Sequence, residues 1–567
     1  MGLLIRTKPS LARDYSASQI ALVIGFIFGI VLIGHSRVNP SNTDWIFDGD
    51  RLGNQIVWNY FRRSEVIQWP LNLISNYGYE WSNYGHGSNI LLSLPLKYLS
   101  FLLPNDFQFL GLWICACCAL QGYFAAKLMG LFSTQKLEIV LLSLNFLVFP
   151  IFLMRVGLMG HPQLGAQWLL LWGIYLVMAN TVRTSSWALL LAISFMIDLY
   201  IVAMLIAIFI FSQVFEKKKE KTKEKIKRIS KSFFFVLTIC TVMLFTQGYF
   251  SLPGGVSGSG FFRISATTFA NPRISELTSF SFFANLVDPT NSAYVYRENA
   301  ESFLYLGAGF LLFLPVLLFI RFTNEELKCK RFFIPLTIAG LAMFLVGMSN
   351  QISMFGFEFD YWWPNQLLEV RQVFRSATRF GWPLAYSIAL FVCLRLLLSE
   401  SLKRYRRLLV VVLLVLNLAD LSPLLRESYR DFRREDLNAI QFRTQLTQIF
   451  SKYSTINIYP AFDLQIDDPG LFNSESVWRK TKLWQDVMIS ASELNLRSNF
   501  AYVSRPVGRV IASENEKSTW VLSQELMQKG DLYVFVSKSD IELFRNHLPE
   551  GAEIFSVGQL EFIGLPN

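Results

Sequence analysis

Residues 185–215 read SSWALLLAISFMIDLYIVAMLIAIFIFSQVF, and after Glu216 the basic run Lys217-Lys218-Lys219-Glu220-Lys221 begins. A helix needs roughly 20 apolar residues to cross the hydrocarbon core of a bilayer, so 31 residues are long for one span and short for two. Read as one span, the stretch carries the nine basic residues of 217–231 to the outer face. That violates the rule that Lys and Arg collect in cytoplasmic loops. Read as two short helices turning at Asp198-Leu199-Tyr200, it returns those residues to the cytoplasm. It also puts Lys328, Lys330 and Arg331, and Lys403, Arg404, Arg406 and Arg407, on the same inner side. The two-helix reading therefore decides the topology.

Working outward, the apolar windows fall at 18–34, 107–129, 136–153, 163–179, 185–215, 232–249, 302–321, 331–348, 382–399 and 407–420. With 52% hydrophobic and only 17% charged residues, the chain is too apolar for one soluble core of its length. The fold class expected is mainly α: a polytopic membrane protein of about 11 transmembrane helices, N-terminus inside and C-terminus outside. Arg6, Lys8 and Arg13 precede Ile20–Ile33 as in a signal peptide, but a small-x-small cleavage site is missing, so an uncleaved first span is expected. The net charge of +10 sits in short loops between apolar windows, which argues against a nucleic-acid partner.

The first outer loop, 35–106, is expected to hold two interfacial helices. Residues 53–63 carry Ile56, Val57, Tyr60 and Phe61 at helical spacing, and 89–103 form the second. From about 425 the composition turns polar, with short β-type runs at Thr455–Tyr459 and Leu532–Val536. Two domains follow: 1–424 in the membrane, and 425–567 as a small soluble α/β domain outside it. Gly254-Gly255-Val256-Ser257-Gly258-Ser259-Gly260 reads as a mobile loop. The six cysteines lie in or beside apolar stretches and the four histidines are scattered, so neither a disulfide framework nor a metal motif is legible.

The residues able to carry chemistry sit on the expected outer face. Asp48 and Asp50, in Phe47-Asp48-Gly49-Asp50-Arg51, follow the first span. A carboxylate near a desolvating boundary can act as a general base; equally, Asp50 can N-cap the 53–63 helix. His161 lies in an outer turn, as a structural residue or a site residue. Asp198, beside Tyr200, either caps the second short helix or lines a cavity. Glu301 stands at the start of a span, as a dipole-stabilising residue or a second catalytic carboxylate. Arg371, Arg375 and Arg379 recur at spacing four, which puts them on roughly one face of a helix. Three guanidinium groups on the outer side run against the charge rule; binding a phosphate is a reason for them to be there, and snorkelling or paired surface arginines are the alternative.

The stretches Gly49-Asp50-Arg51-Leu52-Gly53, Trp58-Asn59-Tyr60-Phe61-Arg62, Trp69-Pro70-Leu71-Asn72 and Asn76-Tyr77-Gly78 resemble a bacterial family of GT-C-type integral membrane glycosyltransferases. The resemblance continues through Glu301 with Tyr305-Leu306-Gly307, through Phe374-Arg375-Ser376-Ala377-Thr378-Arg379 with Trp382-Pro383, and ends at Asp420-Leu421-Ser422-Pro423. It covers most of 45–425. It implies inverting transfer of a sugar from a polyprenyl-phosphate donor to a glycan, lipid or protein acceptor, on the outer face of the bacterial cytoplasmic membrane. Asp50 matches the family's catalytic base, supported by Asp48 and Glu301. Arg375, Arg379 and Arg371 would hold the donor phosphate, and Trp58, Arg62, His161, Asp198 and Tyr200 would line the substrate cavity. The cofactor stays open: a divalent metal is the candidate class, but no acidic residue lies between Glu80 and Pro95 to help bind one. A lipid-linked saccharide transporter or flippase is the alternative function, and it requires charges deep inside several spans. A scaffold that recruits partners through its outer tail is the third.

Overall fold

The computed structural model describes residues 11–47, 49–65, 69–71, 73–74, 76, 89–179, 184–215, 221–251, 264–271, 277–280, 301, 303–322, 324–348, 350–354, 357–364, 374, 376–459, 483–499, 527–536, 538–545 and 548–567. The glycine-rich segment 254–260, Asp48, Arg371 and Arg375 lie outside these residues. The chain forms two compact units, each assembled from separate stretches: Met1–Asn39 with Phe109–Met243 and Ser259–Arg433, and Pro40–Gln108 with Leu244–Gly258 and Arg434–Asn567. This differs from the contiguous division at 424/425. Most of the expected first outer loop groups with the C-terminal segment.

The first unit is helical apart from a hairpin of β1 (Gln351–Met354) and β2 (Phe357–Asp360). Several of its helices, among them Leu110–Gly130, Trp168–Met178, Leu199–Val214 and Ala308–Phe319, are apolar all round, the pattern of segments surrounded by other helices or by lipid rather than water. Four helices are long and apolar enough to cross a membrane: Ser16–Ile33, Leu110–Gly130, Thr222–Thr246 and Ala377–Leu398. Two bent pairs, Lys136–Leu147 with Pro150–Val156 and Arg406–Asp420 with Ser422–Phe450, raise that to six if each pair is one span. Five shorter apolar helices account for the remaining windows, so length and composition alone do not give a count of eleven spans.

Within 185–215, the helices Thr184–Phe195 and Leu199–Val214 break at Asp198. The Asp198 carboxylate accepts from the backbone N–H groups of Tyr200 (2.8 Å) and Ile201 (3.3 Å). Two amide donors that a helix start leaves without partners are thereby satisfied. The basic stretch that follows is no loop from Thr222 onward: Thr222–Lys231 forms the opening turns of the helix Thr222–Thr246.

The second unit contains a five-stranded mixed sheet of β3 (Thr455–Tyr459), β4 (Arg497–Ser498), β5 (Asp531–Phe535), β6 (Glu553–Val557) and β7 (Leu560–Leu565), in the order β4-β3-β5-β7-β6. Strand β3 runs parallel to β4 and β5. Strand β7 is antiparallel to β5 and to β6. Ile456, Asn457 and Ile458 are all buried, as expected for a strand covered on both faces. The helices Leu437–Phe450 and Leu483–Glu493 pack against each other, and Leu483–Glu493 also packs on Gly49–Arg63.

The Gly49–Arg63 helix corrects an expectation. It begins four residues before the expected 53–63 segment, and every residue from Arg51 to Arg62 is buried. An interfacial helix would keep a polar face in water. Here that face is satisfied inside the unit instead: Gln55 donates to Phe107 O (3.2 Å), and Asn59 donates to Ser492 Oγ (3.1 Å). The second expected interfacial helix appears as Ile90–Tyr98 and the turn Ser100–Leu102, where Phe101 and Leu102 are exposed.

Candidate functional site

In the first unit, one extended segment organises the site. Phe303 to Gly307 runs through a core that includes Leu153, Met154, Leu414, Leu421 and Leu424. The segment then turns at Gly307 (φ 95°) into the helix Ala308–Phe319. A side chain at such a φ is strained, which favours glycine there. The first amides of this helix are capped from another helix: Ala308 N–H donates to Asp420 Oδ2 (2.7 Å), and Gly309 N–H donates to Asn417 Oδ1 (3.0 Å). Asn417 Nδ2 in turn donates to Asn145 Oδ1 (3.0 Å). Asp420 thereby acquires a structural role.

Glu301 stands at the head of this segment, seven residues before the helix begins at Ala308. Its partners are arginines rather than helix amides. Arg155 Nη1 lies 2.8 Å from Oε2, and Arg155 Nη2 donates to the Glu301 backbone oxygen at 2.6 Å. Arg379 Nη2 reaches both carboxylate oxygens at 3.2 and 3.3 Å. His161 Nε2 is 3.7 Å from Oε1, while its Nδ1 is 2.9 Å from Arg155 Nη1. Thr378 Oγ1 donates to the Glu301 backbone oxygen (3.0 Å). Burial alone would raise the Glu301 carboxyl, but the Arg155 and Arg379 guanidinium groups outweigh it and hold the group well below the usual carboxylate range. A carboxylate so stabilised is a poor proton acceptor. Its chemistry here is electrostatic: it holds the Arg155 and Arg379 guanidinium groups in place.

Arg379 is also fixed from its other face. Its guanidinium carbon lies 4.5 Å from the centroid of the Tyr200 ring. The Tyr200 hydroxyl accepts from the Ser376 N–H (2.8 Å), and its ring packs against Phe374 and Phe380. His161, Tyr200, Glu301 and Arg379 therefore meet in one cluster, with Asp198 capping the helix that carries Tyr200. Arg379 Nε and Trp382 Nε1 are buried donors with no hydrogen-bond partner among the described residues. Buried donors are almost always paired, so these two suit the oxygen atoms of a ligand.

Arg155 escaped the reading of the sequence. The signal was present: an arginine two residues beyond the apolar window 136–153, in Phe152-Leu153-Met154-Arg155-Val156. A charge in such surroundings is costly without a partner.

The remaining expected residues belong to the second unit. Asp50 lies in the first turn of Gly49–Arg63, half-buried, and so inside the helix rather than at its N-cap. Trp58 and Arg62 are buried and turned to structural use. Trp58 Nε1 donates to Phe107 O (3.0 Å), and Arg62 Nη1 donates to Pro104 O (3.0 Å) and Asn105 O (3.1 Å). Among the described residues, no group of three or more His, Cys, Asp or Glu could hold a metal ion.

A family model described as a domain of unknown function (DUF6311) matches residues 22–422. The chain belongs to that family. The DUF6311 match spans every candidate residue from Asp48 to Arg379, together with the capping residues Asn417 and Asp420, and stops before the sheet. No curated protein matches the chain.

Proposed function

We propose that this DUF6311 protein is an inverting membrane glycosyltransferase of the GT-C type, moving a sugar from a polyprenyl-phosphate donor to an acceptor hydroxyl. One observation carries the reading. Motif residues that the resemblance draws from distant parts of the chain, Glu301, Thr378 and Arg379, converge with Arg155 and His161 on one buried ion-pair cluster, beside which Arg379 Nε and Trp382 Nε1 have no hydrogen-bond partner among the described residues. In this reading Asp50 accepts the proton of the acceptor hydroxyl, whose oxygen bonds to the sugar C1 as the C1–O bond to phosphate breaks. Arg379, with Arg371 and Arg375 beside it in sequence, stabilises the departing polyprenyl phosphate. Glu301 and Arg155 keep the Arg379 guanidinium in position.

The same reading has about eleven helices crossing the bacterial cytoplasmic membrane, with the N-terminus cytoplasmic and the C-terminal segment outside. The apolar helices support it, as do the basic residues at 217–231 and 403–407. The test is transfer from polyprenyl-phosphate sugars in vesicles containing the full-length protein. Asp50→Asn, expressed at the normal level, should lose at least about a hundredfold in turnover, the usual scale for a general base. Full activity in that variant overturns the assignment of the base. Absence of transfer by the unaltered protein across a panel of such donors overturns the function.

A further inference from the structure

The helix Thr222–Thr246 poses a physical problem at its C-terminal end. It is apolar enough to cross a membrane, yet only 6% of its apolar window is buried within the chain. Bare apolar surface on that scale needs lipid around it. The last carbonyls of any helix also lack intrahelical donors. Here Trp69 and Leu71, which belong to the same unit as Phe245 and Thr246, supply them: Trp69 Nε1 donates to Phe245 O (3.2 Å), and the Leu71 N–H donates to Thr246 O (3.1 Å). The chain can close in because Gly248, at φ 71°, lies directly against Pro70, where any Cβ would collide with the proline ring.

The side chains around this closure stay outside. Trp69 is 50% exposed, Phe245 56% and Phe250 64%, with the Trp69 and Phe245 rings 5.3 Å apart. Leu71 is exposed beside them. A tryptophan in water can hydrogen-bond through its indole N–H. This one gives its N–H to the helix end, which leaves an apolar ring that can enter the acyl boundary with no unsatisfied donor. Interfacial tryptophans at span ends are anchors of the same physical kind.

The geometry points to a lipid-binding collar. Trp69, Leu71, Phe245 and Phe250 enter the phospholipid bilayer at the boundary between headgroups and acyl chains, where the helix Thr222–Thr246 ends. The occupant is lipid because the collar continues the bare apolar surface of that helix.

The test uses full-length protein in phosphatidylcholine vesicles. A nitroxide is attached at Leu71→Cys in a Cys240→Ser background, since the other five cysteines are buried. The same label at Lys538→Cys, an exposed position of the second unit, serves as the aqueous control. Power saturation should show the label at 71 severalfold more accessible to oxygen, relative to a water-soluble nickel chelate, than the label at 538. Equal ratios at both positions overturn the collar. Spin–spin broadening at 71 that vanishes on dilution with unlabelled protein also overturns it, because a second copy of the chain would then be the occupant. If Leu71→Cys fails to fold, Phe250→Cys carries the same label and the same criteria. None of these readings depends on transferase activity, so this proposal and the assignment of function can fail separately.

Discussion

Arg155 and Arg379 in the first unit, and Arg62 and Lys97 in the second, are all buried, but their charges are met in opposite ways. The first pair share the Glu301 carboxylate. Arg62 directs its donors to backbone oxygens, and Lys97 Nζ donates to Ser64 Oγ (2.8 Å) beneath the Phe61 ring, 4.3 Å from its centroid. The titrations diverge accordingly. Glu301 is pulled well below its ordinary range by the arginines despite its burial. Burial lowers Arg62, and it lowers Lys97 to about 8 against a weaker opposing pull from Glu65. Buried charges met by opposite charge are held in their ionised form, whereas those met by neutral dipoles keep the uncompensated cost of burial, which for Lys97 makes the proton easier to lose.

Breaking the locked set should have the largest effect. Glu301→Gln leaves two buried guanidinium groups without their counter-ion and should cost about 3 kcal/mol, read as a lowered thermal midpoint in detergent. The pH dependence sharpens this. Because the folded carboxyl lies below its unfolded value, its stabilisation is fully present above roughly pH 4.3 and is lost as the pH falls further. The acid limb of the stability profile should therefore flatten in Glu301→Gln, and an unchanged limb would show that the pairing contributes little.

A smaller loss, about 1 kcal/mol, is expected for Asp198→Ala, which removes the cap on Leu199–Val214; Asp198→Asn retains an acceptor and should lose much less. Equal losses in the two variants would mean that the Asp198 charge beside Arg379 matters more than the cap. The smallest effect belongs to Lys97→Met, which should be neutral or slightly stabilising at pH 7. For the wild-type lysine, the folded pKa of about 8 lies below the unfolded value. Between about 8 and 10.4 the unfolded chain holds the extra proton, so alkali favours folding. The stability difference should shift in favour of the wild type across that window, and a constant difference would refute the role of burial.

The apolar helices were legible in the sequence because each announces itself within a single window. The break at Asp198 was legible because an acid amid such apolar neighbours had to be capping something or facing a partner. The strands Thr455–Tyr459 and Asp531–Phe535 fell within one residue of the β-type runs. The composition of the second unit was not legible. Asn59 meets Ser492, and Arg443 donates to Ile46 O and Phe47 O, across roughly four hundred residues of chain. No periodicity encodes such a meeting. The same blindness hid the partners of Glu301: an acid before a span suggests a helix dipole, and only the fold brings Arg155 and Arg379 to it.

The cap on Ala308–Phe319 sets an order of events at the ribosome. Its acceptors, Asn417 and Asp420, are synthesised more than a hundred residues after the amides they receive. Until then the helix is a twelve-residue apolar segment interrupted by Pro315, with bare N–H groups at its start. A nascent chain halted before Asn417 therefore holds this helix in an incomplete state, and only the arrival of Arg406–Asp420 closes it.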